Sequence, residues 1–428
     1  MLRQPSARLV PWLLSSLALV ACSSPPASTP SLVGIWRAVL TSPGGELPFG
    51  LEIQEQNGKL QGAALNGEER APFSRVELQG RQAVLAFDWY DSRIEASLSP
   101  DGQELQGAWT KTIPGGVARM PFAARRGAQG RFGPAPGSAA EAPPAGEITG
   151  SWAAEFKDDS STDPAQAELV RKDGRVLGTF LTPTGDYRYL EGSYQNGLLR
   201  LSTFDGAHAF LFQAKLQADG SLVGDFWSRE TYHATWKAHP VQKGEIVLPD
   251  AWSQVGLKSQ DGKLHFRFPD LEGHPVGLGD PRFAGKVVVV TLFGSWCPNC
   301  NDEAPILARW YRELRAQGLE VVGLAYEYSG DPARDREMVR RYASRHGIDY
   351  TLLLAGTSDK AEAAKTLPEL SSVVAFPTTL FIGRDGKVRK IHTGFAGPGT
   401  GEHFTQLVAE LEGVIHQLLA EKGGSGRA

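Results

Sequence analysis

Cysteine is scarce in this chain, with three residues in 428, at positions 22, 297 and 300. So few thiols fit a single working pair better than a disulfide-stapled scaffold. There is no second Cys pair to complete a structural zinc site. Residue 301 is Asn, so the histidine that would follow a haem-attaching pair is missing. No Met or His flanks Cys297 and Cys300 to favour copper(I), so the sequence calls for no metal and no cofactor. An excess of one charge is lacking too. Lys and Arg number 44 against 48 Asp and Glu, a net charge of -4, which gives no basis for binding nucleic acid or a polyanionic membrane surface. Long apolar runs are also absent. Leu13 to Val20 is too short to span a bilayer.

What the chain does have is ordinary globular composition, 41% hydrophobic and 21% charged, at a length that accommodates two to four domains. Residues 1–21 read as a signal peptide, with Arg3 and Arg8 before the short apolar core. Leu19, Val20, Ala21 and Cys22 together resemble the bacterial lipobox, in which the cysteine is lipidated and becomes the new N-terminus. The resemblance implies a membrane partner reached through a lipid anchor on Cys22, with residues 22–30 as a Ser/Pro-rich tether. It places the protein in the cell envelope facing the periplasm. Ser23, where an Asp is absent, points to the outer membrane of a Gram-negative host. With Cys22 lipidated, one thiol pair remains in a compartment where disulfides persist.

Residues 31–125 and 147–243 look like two copies of one unit. Gly34 and Trp36 match Gly150 and Trp152 at an offset of 116, and Gly58 and Gly62 match Gly174 and Gly178 at the same offset. Gly107 and Trp109 match Gly224 and Phe226 at 117. Alternating short runs such as Ala209 to Ala214 are punctuated by Asn57-Gly58, Asp101-Gly102, Asp173-Gly174, Asn196-Gly197 and Asp219-Gly220, pairs that favour tight hairpins. Two antiparallel β modules, small barrels or sandwiches, are expected. The Gly/Pro/Ala stretch at 126–146 argues for their independence. Trp36, Trp89, Trp109, Trp152, Trp227 and Trp236 are expected to pack in cores or on strand faces, and His208 and His233 lack ligand spacing.

From about residue 260 the pattern becomes α/β and continues to 424. Val287 to Phe293 is a continuous apolar strand of the kind covered on both faces. Trp296, Cys297, Pro298, Asn299 and Cys300 follow it, then a helical stretch to Gln317 with Pro305 inside. Leu319 to Ala325 is a second buried strand. Asp331 and Pro332 open a helix that Gly347 closes. Tyr350 to Leu354 reads as an edge strand, Thr378 to Ile382 and Lys387 to Ile391 as a hairpin, and Glu402 to Leu419 as an amphipathic helix. Thr357 to Val374 has the look of an inserted peripheral helix, or of part of a substrate surface.

The order strand, Trp-Cys-Pro-x-Cys, helix, strand, helix, then Phe376, Pro377, Thr378 and Thr379 before a hairpin, resembles the thioredoxin fold. The spacing of Cys297, Cys300, Glu303 and Pro305 is similar to the TlpA/ResA/CcmG branch of membrane-associated thiol–disulfide oxidoreductases, as are Gly285 to Val290 and Gly318 to Gly323. At the helix N-terminus Cys297 gains thiolate character and attacks a substrate disulfide, and Cys300 resolves the mixed disulfide. Pro298 suits a first helical turn. Glu303 shares the Cys300 face of the helix and exchanges protons with it, Glu327 being the weaker candidate. Trp296 shields one side of the pair. By resemblance Pro377 is a cis-proline facing the pair, flanked by Phe376 and Thr378. One departure is Thr291, six residues before Cys297, where thioredoxins carry a buried Asp. The resemblance implies a reductase of client-protein disulfides supplied by a membrane-bound electron donor. A reading from another class makes the chain a lipoprotein scaffold or ligand-binding protein, with the β modules holding a partner.

Overall fold

The computed structural model describes Met1 and residues 31–127, 130–133 and 147–421. Cys22, its tether and the leader beyond Met1 lie outside them, as does most of the 126–146 stretch.

The first nine strands are β1 (Gly34–Ser42), β2 (Gly45–Gln56), β3 (Lys59–Asn66), β4 (Glu69–Pro72), β5 (Arg75–Gln79), β6 (Gln82–Phe87), β7 (Ser92–Leu98), β8 (Glu104–Ile113) and β9 (Gly116–Arg126). They form one antiparallel sheet in the order β4-β3-β2-β1-β9-β8-β7-β6-β5, with β4 and β5 at its edges. The sheet curls without closing. Strand alternation sorts its side chains, so in β7 Ser92, Ile94, Ala96 and Leu98 are buried while Arg93, Glu95 and Ser97 face water.

The next nine are β10 (Gly150–Lys157), β11 (Thr162–Lys172), β12 (Arg175–Thr182), β13 (Gly185–Asp186), β14 (Leu190–Gln195), β15 (Leu198–Phe204), β16 (Ala209–Leu216), β17 (Leu222–Ser228) and β18 (Tyr232–Pro240). Here β11 also pairs with β12, which closes eight strands into a barrel that leaves only β13 outside the ring. Aromatic rings fill its interior. Phe180 stacks on Phe212 at 4.9 Å and Phe212 on Phe226 at 4.4 Å, with Phe156, Tyr187 and Trp236 around them. In the hairpins of both units Asn57-Gly58, Asp173-Gly174 and Asn196-Gly197 hold both residues at positive φ, as tight two-residue turns demand. Trp36 and Trp152, on the first strand of each unit, each donate an indole N–H to the carbonyl four residues back, Leu32 at 2.9 Å and Ile148 at 3.0 Å.

The two units are not independent, contrary to what the linker composition suggests. Phe204, Ala207, Ala209 and Leu211 of the barrel complete the core of the open sheet. Phe204 is fully buried against Phe49 (centroids 4.4 Å) and edge-on to Trp109 (5.4 Å). Within the expected linker Arg131 is buried and ion-paired to Glu191 at 3.0 Å, and it donates to Asn66 Oδ1, Leu65 O and Ser202 O. An open sheet leaves its concave face wet. Docking the barrel's β15–β16 surface into it removes that face from water, which is the driving force for their union.

The C-terminal region opens with a small hairpin, β19 (Arg267–Pro269) and β20 (Pro275–Gly277). Then come β21 (Val287–Phe293), α1 (Pro298–Leu314), β22 (Leu319–Glu327), α2 (Pro332–His346), β23 (Thr351–Thr357), α3 (Lys360–Thr366), β24 (Thr378–Ile382), β25 (Val388–Thr393) and α4 (Glu402–Ala420). The sheet order is β23-β22-β21-β24-β25, parallel across β21, β22 and β23 and antiparallel elsewhere. All seven residues of β21 are buried, because helices cover both faces of this central strand. This is a thioredoxin-like α/β fold following two β units. The Thr357–Val374 stretch is more than peripheral: Ala363, Leu367 and Leu370 are buried in the α/β core. No helix among the described residues is long and apolar enough to cross a membrane, a statement that does not bear on β-barrels.

Candidate active site

The turn from β21 into α1 carries the thiol pair because the strand's apolar run ends at Phe293 and Pro298 opens the helix. Cys297 is the helix N-cap; its sulfur accepts the Cys300 N–H at 3.2 Å. The two cysteines form a disulfide with Cα atoms 5.2 Å apart. Asn301 ties the turn down, donating its amide to the carbonyls of Ser295 (3.0 Å) and Cys297 (2.9 Å), while Tyr342 donates to the Cys300 carbonyl at 2.8 Å. Free N–H groups and the dipole at this end of α1 favour negative charge on Cys297.

Around the pair, Trp296 stacks on Tyr328 at 4.5 Å, meets Phe376 edge-on at 5.9 Å and donates its indole N–H to Tyr326 O at 2.9 Å. The Phe376–Pro377 bond is cis, and Cys297 Sγ lies 3.3 Å from the Phe376 carbonyl oxygen. Thr378 is buried and donates to Ala375 O at 2.8 Å. Pro298 is buried, and the Asn299 amide donates to Asp186 Oδ2 at 2.8 Å.

Two carboxyls lie beneath the pair. Glu303, 2% exposed, accepts hydroxyl hydrogen bonds from Thr379 (2.5 Å) and Thr291 (2.8 Å). Burial pushes its pKa up to about 7, against the lowering effect of those two hydroxyls. Thr291 thus does not leave a gap where a strand carboxylate would stand; it supports a carboxyl delivered from the helix. Glu327, at the end of β22, accepts from the Ser295 N–H (2.8 Å) and hydroxyl (2.6 Å), and burial likewise pushes it to about 7.

Residues 254–408 match the Redoxin family model. The thiol-disulfide oxidoreductase ResA of Halalkalibacterium halodurans is 27% identical over 146 residues, 34% of this chain and 74% of that protein. ResA of Geobacillus thermodenitrificans is 31% identical over 129 residues, 30% of this chain and 66% of that protein. Residues 254–408 are a Redoxin domain.

It is a thiol–disulfide oxidoreductase domain with a thioredoxin-like fold. ResA of Bacillus subtilis is 27% identical over 130 residues, so the match spans 64% of its length and 30% of this chain. Among solved structures, a thioredoxin-family thiol:disulfide interchange protein from Chlorobium tepidum TLS is 20% identical with a TM-score of 0.29, covering 37% of this chain and 96% of its own. The family match leaves the two β units outside it.

Three residues near the Redoxin pair escape sequence reasoning. Asp302 follows Cys300 by two positions and is largely covered, its side chain 12% exposed; desolvation pushes its carboxyl up to about 6, against the pull of Arg188. Arg188 of the barrel pairs with Asp302, with Glu69 at 2.6 Å and with Asp205 at 3.2 Å. Burial alone would lower its pKa, but these carboxylates outweigh that and hold the guanidinium well above its ordinary range. Asp186 accepts from Asn299 and from the Gly397 N–H at 2.6 Å, and burial raises its pKa. No spacing signals such a cluster, since Arg188 lies 114 residues from Asp302 and 119 from Glu69. The histidines singled out in the β units pair locally, His208 with Asp205 and His233 with Asp225. Trp36, Trp109, Trp152 and Trp236 are buried in cores, and Trp89 and Trp227 are partly buried against them.

Proposed function

We propose that the chain is an envelope-anchored reductase of client-protein disulfides that works through Cys297 and Cys300. The observation that carries this reading is the pair itself, capping α1 beside the cis Phe376–Pro377 bond with the Glu303 carboxyl buried among Thr291 and Thr379. Cys297 as thiolate attacks one sulfur of a client disulfide and releases the other as a thiolate. Cys300, losing its proton to a neighbouring carboxylate, attacks Cys297 and frees the second client sulfur. The client gains two electrons and the pair becomes the Cys297–Cys300 disulfide. Glu303, with a pKa near neutrality, is the proton acceptor in this reading and Glu327 the second choice. Trp296, Pro298, Asn299, Phe376, Pro377 and Thr378 frame the pair. A membrane-bound donor returns two electrons to the disulfide.

The same proposal places a lipid anchor on Cys22, after a signal peptide at 1–21, and holds the protein in the envelope facing the periplasm. It takes 31–125 and 147–243 as copies of one unit. The corresponding indole hydrogen bonds of Trp36 and Trp152 support that correspondence. Cys300→Ser tests the chemistry. It should accumulate mixed disulfides between Cys297 and client proteins in cells, resolved by mass spectrometry. Absence of any such species, where a known trapping oxidoreductase yields them in parallel, removes the reading.

A further inference from the structure

A thiol that exchanges with clients has to be reached by a second sulfur, yet Cys297 is 4% exposed and Cys300 1%. The barrel packs on the surface beside them, at Asn299 and Asp302. The connection from β12 to β14, running through Pro183 to Tyr189, lies against the redox face. Gly185 sits so close to Asn299 that a Cβ on it would fall 2.3 Å from the Asn299 amide oxygen, and its φ of +153° suits glycine. Asp186 holds both Asn299 and the Gly397 N–H. Gly397 belongs to the loop after β25, whose Gly394 N–H donates to Pro377 O at 2.9 Å. The segment therefore spans from the residue between the cysteines to the loop bonded to the cis-proline. Arg188 secures it through Asp302 on one side and Glu69 and Asp205 on the other.

The nature of this contact matters. The open sheet and the barrel share an apolar core, but the apolar cluster of the Redoxin domain contains no residue of either β unit. The face that shuts the pair is held mainly by hydrogen bonds and ion pairs. Polar contacts between domains are the kind that part without unfolding either side, because water replaces the lost partners.

We propose that the second β unit is a resident cover over the client face of the redox pair, with Asp186 and Arg188 holding it shut. Client disulfides reach Cys297 only after the Redoxin domain swings away from the two β units, which move as one body. The inference rests on the oxidoreductase reading for its meaning, but the cover itself is measured without turnover.

The test is the rate at which iodoacetamide alkylates Cys297 in the chemically reduced full chain, read on the Cys297 peptide at the full-thiolate plateau so that a shifted thiol pKa is not mistaken for opening. The wild type should react at least about tenfold more slowly than the urea-unfolded chain, and the rate should climb in urea below the unfolding transition. Asp186→Ala removes the hold on Asn299 and Gly397, and Gly185→Ala drives a methyl group into Asn299. Each should raise the rate roughly tenfold while far-UV circular dichroism stays unchanged. A wild-type rate equal to that of the unfolded chain overturns the cover, as does a slow rate indifferent to urea and to both substitutions. Reduction of a disulfide-bonded client by the same variants keeps the two readings apart. Fast alkylation without client reduction would count against the oxidoreductase reading and leave the cover standing.

Discussion

Replacing Glu303 by Gln should change how stability depends on pH, by an amount the structure sets. The carboxyl is 2% exposed and burial raises its pKa from 4.5 to about 7. In the unfolded chain it ionises near 4.5, while in the folded domain it stays protonated until about 7. Between those values the unfolded state loses its proton and the folded state does not, so stability falls as pH rises and then levels off. A tenfold change in proton affinity corresponds to about 1.4 kcal/mol, so the interval costs about 3 kcal/mol. Gln carries no charge to desolvate, and its amide can still meet the Thr291 and Thr379 hydroxyls. The difference in stability between Glu303→Gln and wild type should therefore move in the variant's favour by about 3 kcal/mol from about pH 4.5 to about pH 8. Hydrogen exchange at the β21 amides of Val289 to Leu292, corrected for intrinsic rates, isolates the Redoxin domain from the β units. Burial raises Glu327 to about 7 as well, so the wild-type curve carries both carboxyls and only the difference reports Glu303. Parallel curves for the two proteins, or a Glu303 carboxyl carbon titrating near its ordinary value by NMR, would refute the reasoning.

Two further substitutions probe the union of the β units. Phe204→Ala empties the position between Phe49, Phe87 and Trp109 and should cost about 3–5 kcal/mol, seen as a lower urea midpoint of the β units and faster proteolysis of the open sheet; an unchanged midpoint would show that Phe204 does not bind the two together. Arg131→Ala takes one of two arginines from Glu191, which keeps Arg175 at 3.3 Å, and removes a donor from the buried Asn66 and Ser202 acceptors; it should cost about 1–3 kcal/mol in the same measurement, and an unchanged midpoint would mean that water already satisfies these groups.

Much of the Redoxin domain follows from local sequence. A strand covered on both faces must be apolar throughout, and Val287 to Phe293 is. Asp331 accepts the Ala333 N–H at 2.9 Å and Gly347 closes α2 at φ 60°, both consequences of interactions within four residues. The Asn-Gly and Asp-Gly turns belong to the same class, since a two-residue hairpin depends on the backbone freedom of those residues alone. The disulfide partners are three positions apart, so the pair too is a local feature. Alternation likewise predicted antiparallel units at 31–125 and 147–243, because it reports which face of a strand is dry. It does not report what dries it. That the second sheet closes through β11 and β12 while the first stays open, and that Phe204 fills the first from the second, depends on partners far away in the chain. Arg188 and the carboxylates of Glu69, Asp186, Asp205 and Asp302 would each pass for surface charges in the sequence; only the fold gathers them beside Cys297 and Cys300. Periodicity and turn chemistry act over a few residues, whereas closure, shared cores and buried charge clusters depend on how distant surfaces meet, and that was decided by the tertiary structure alone.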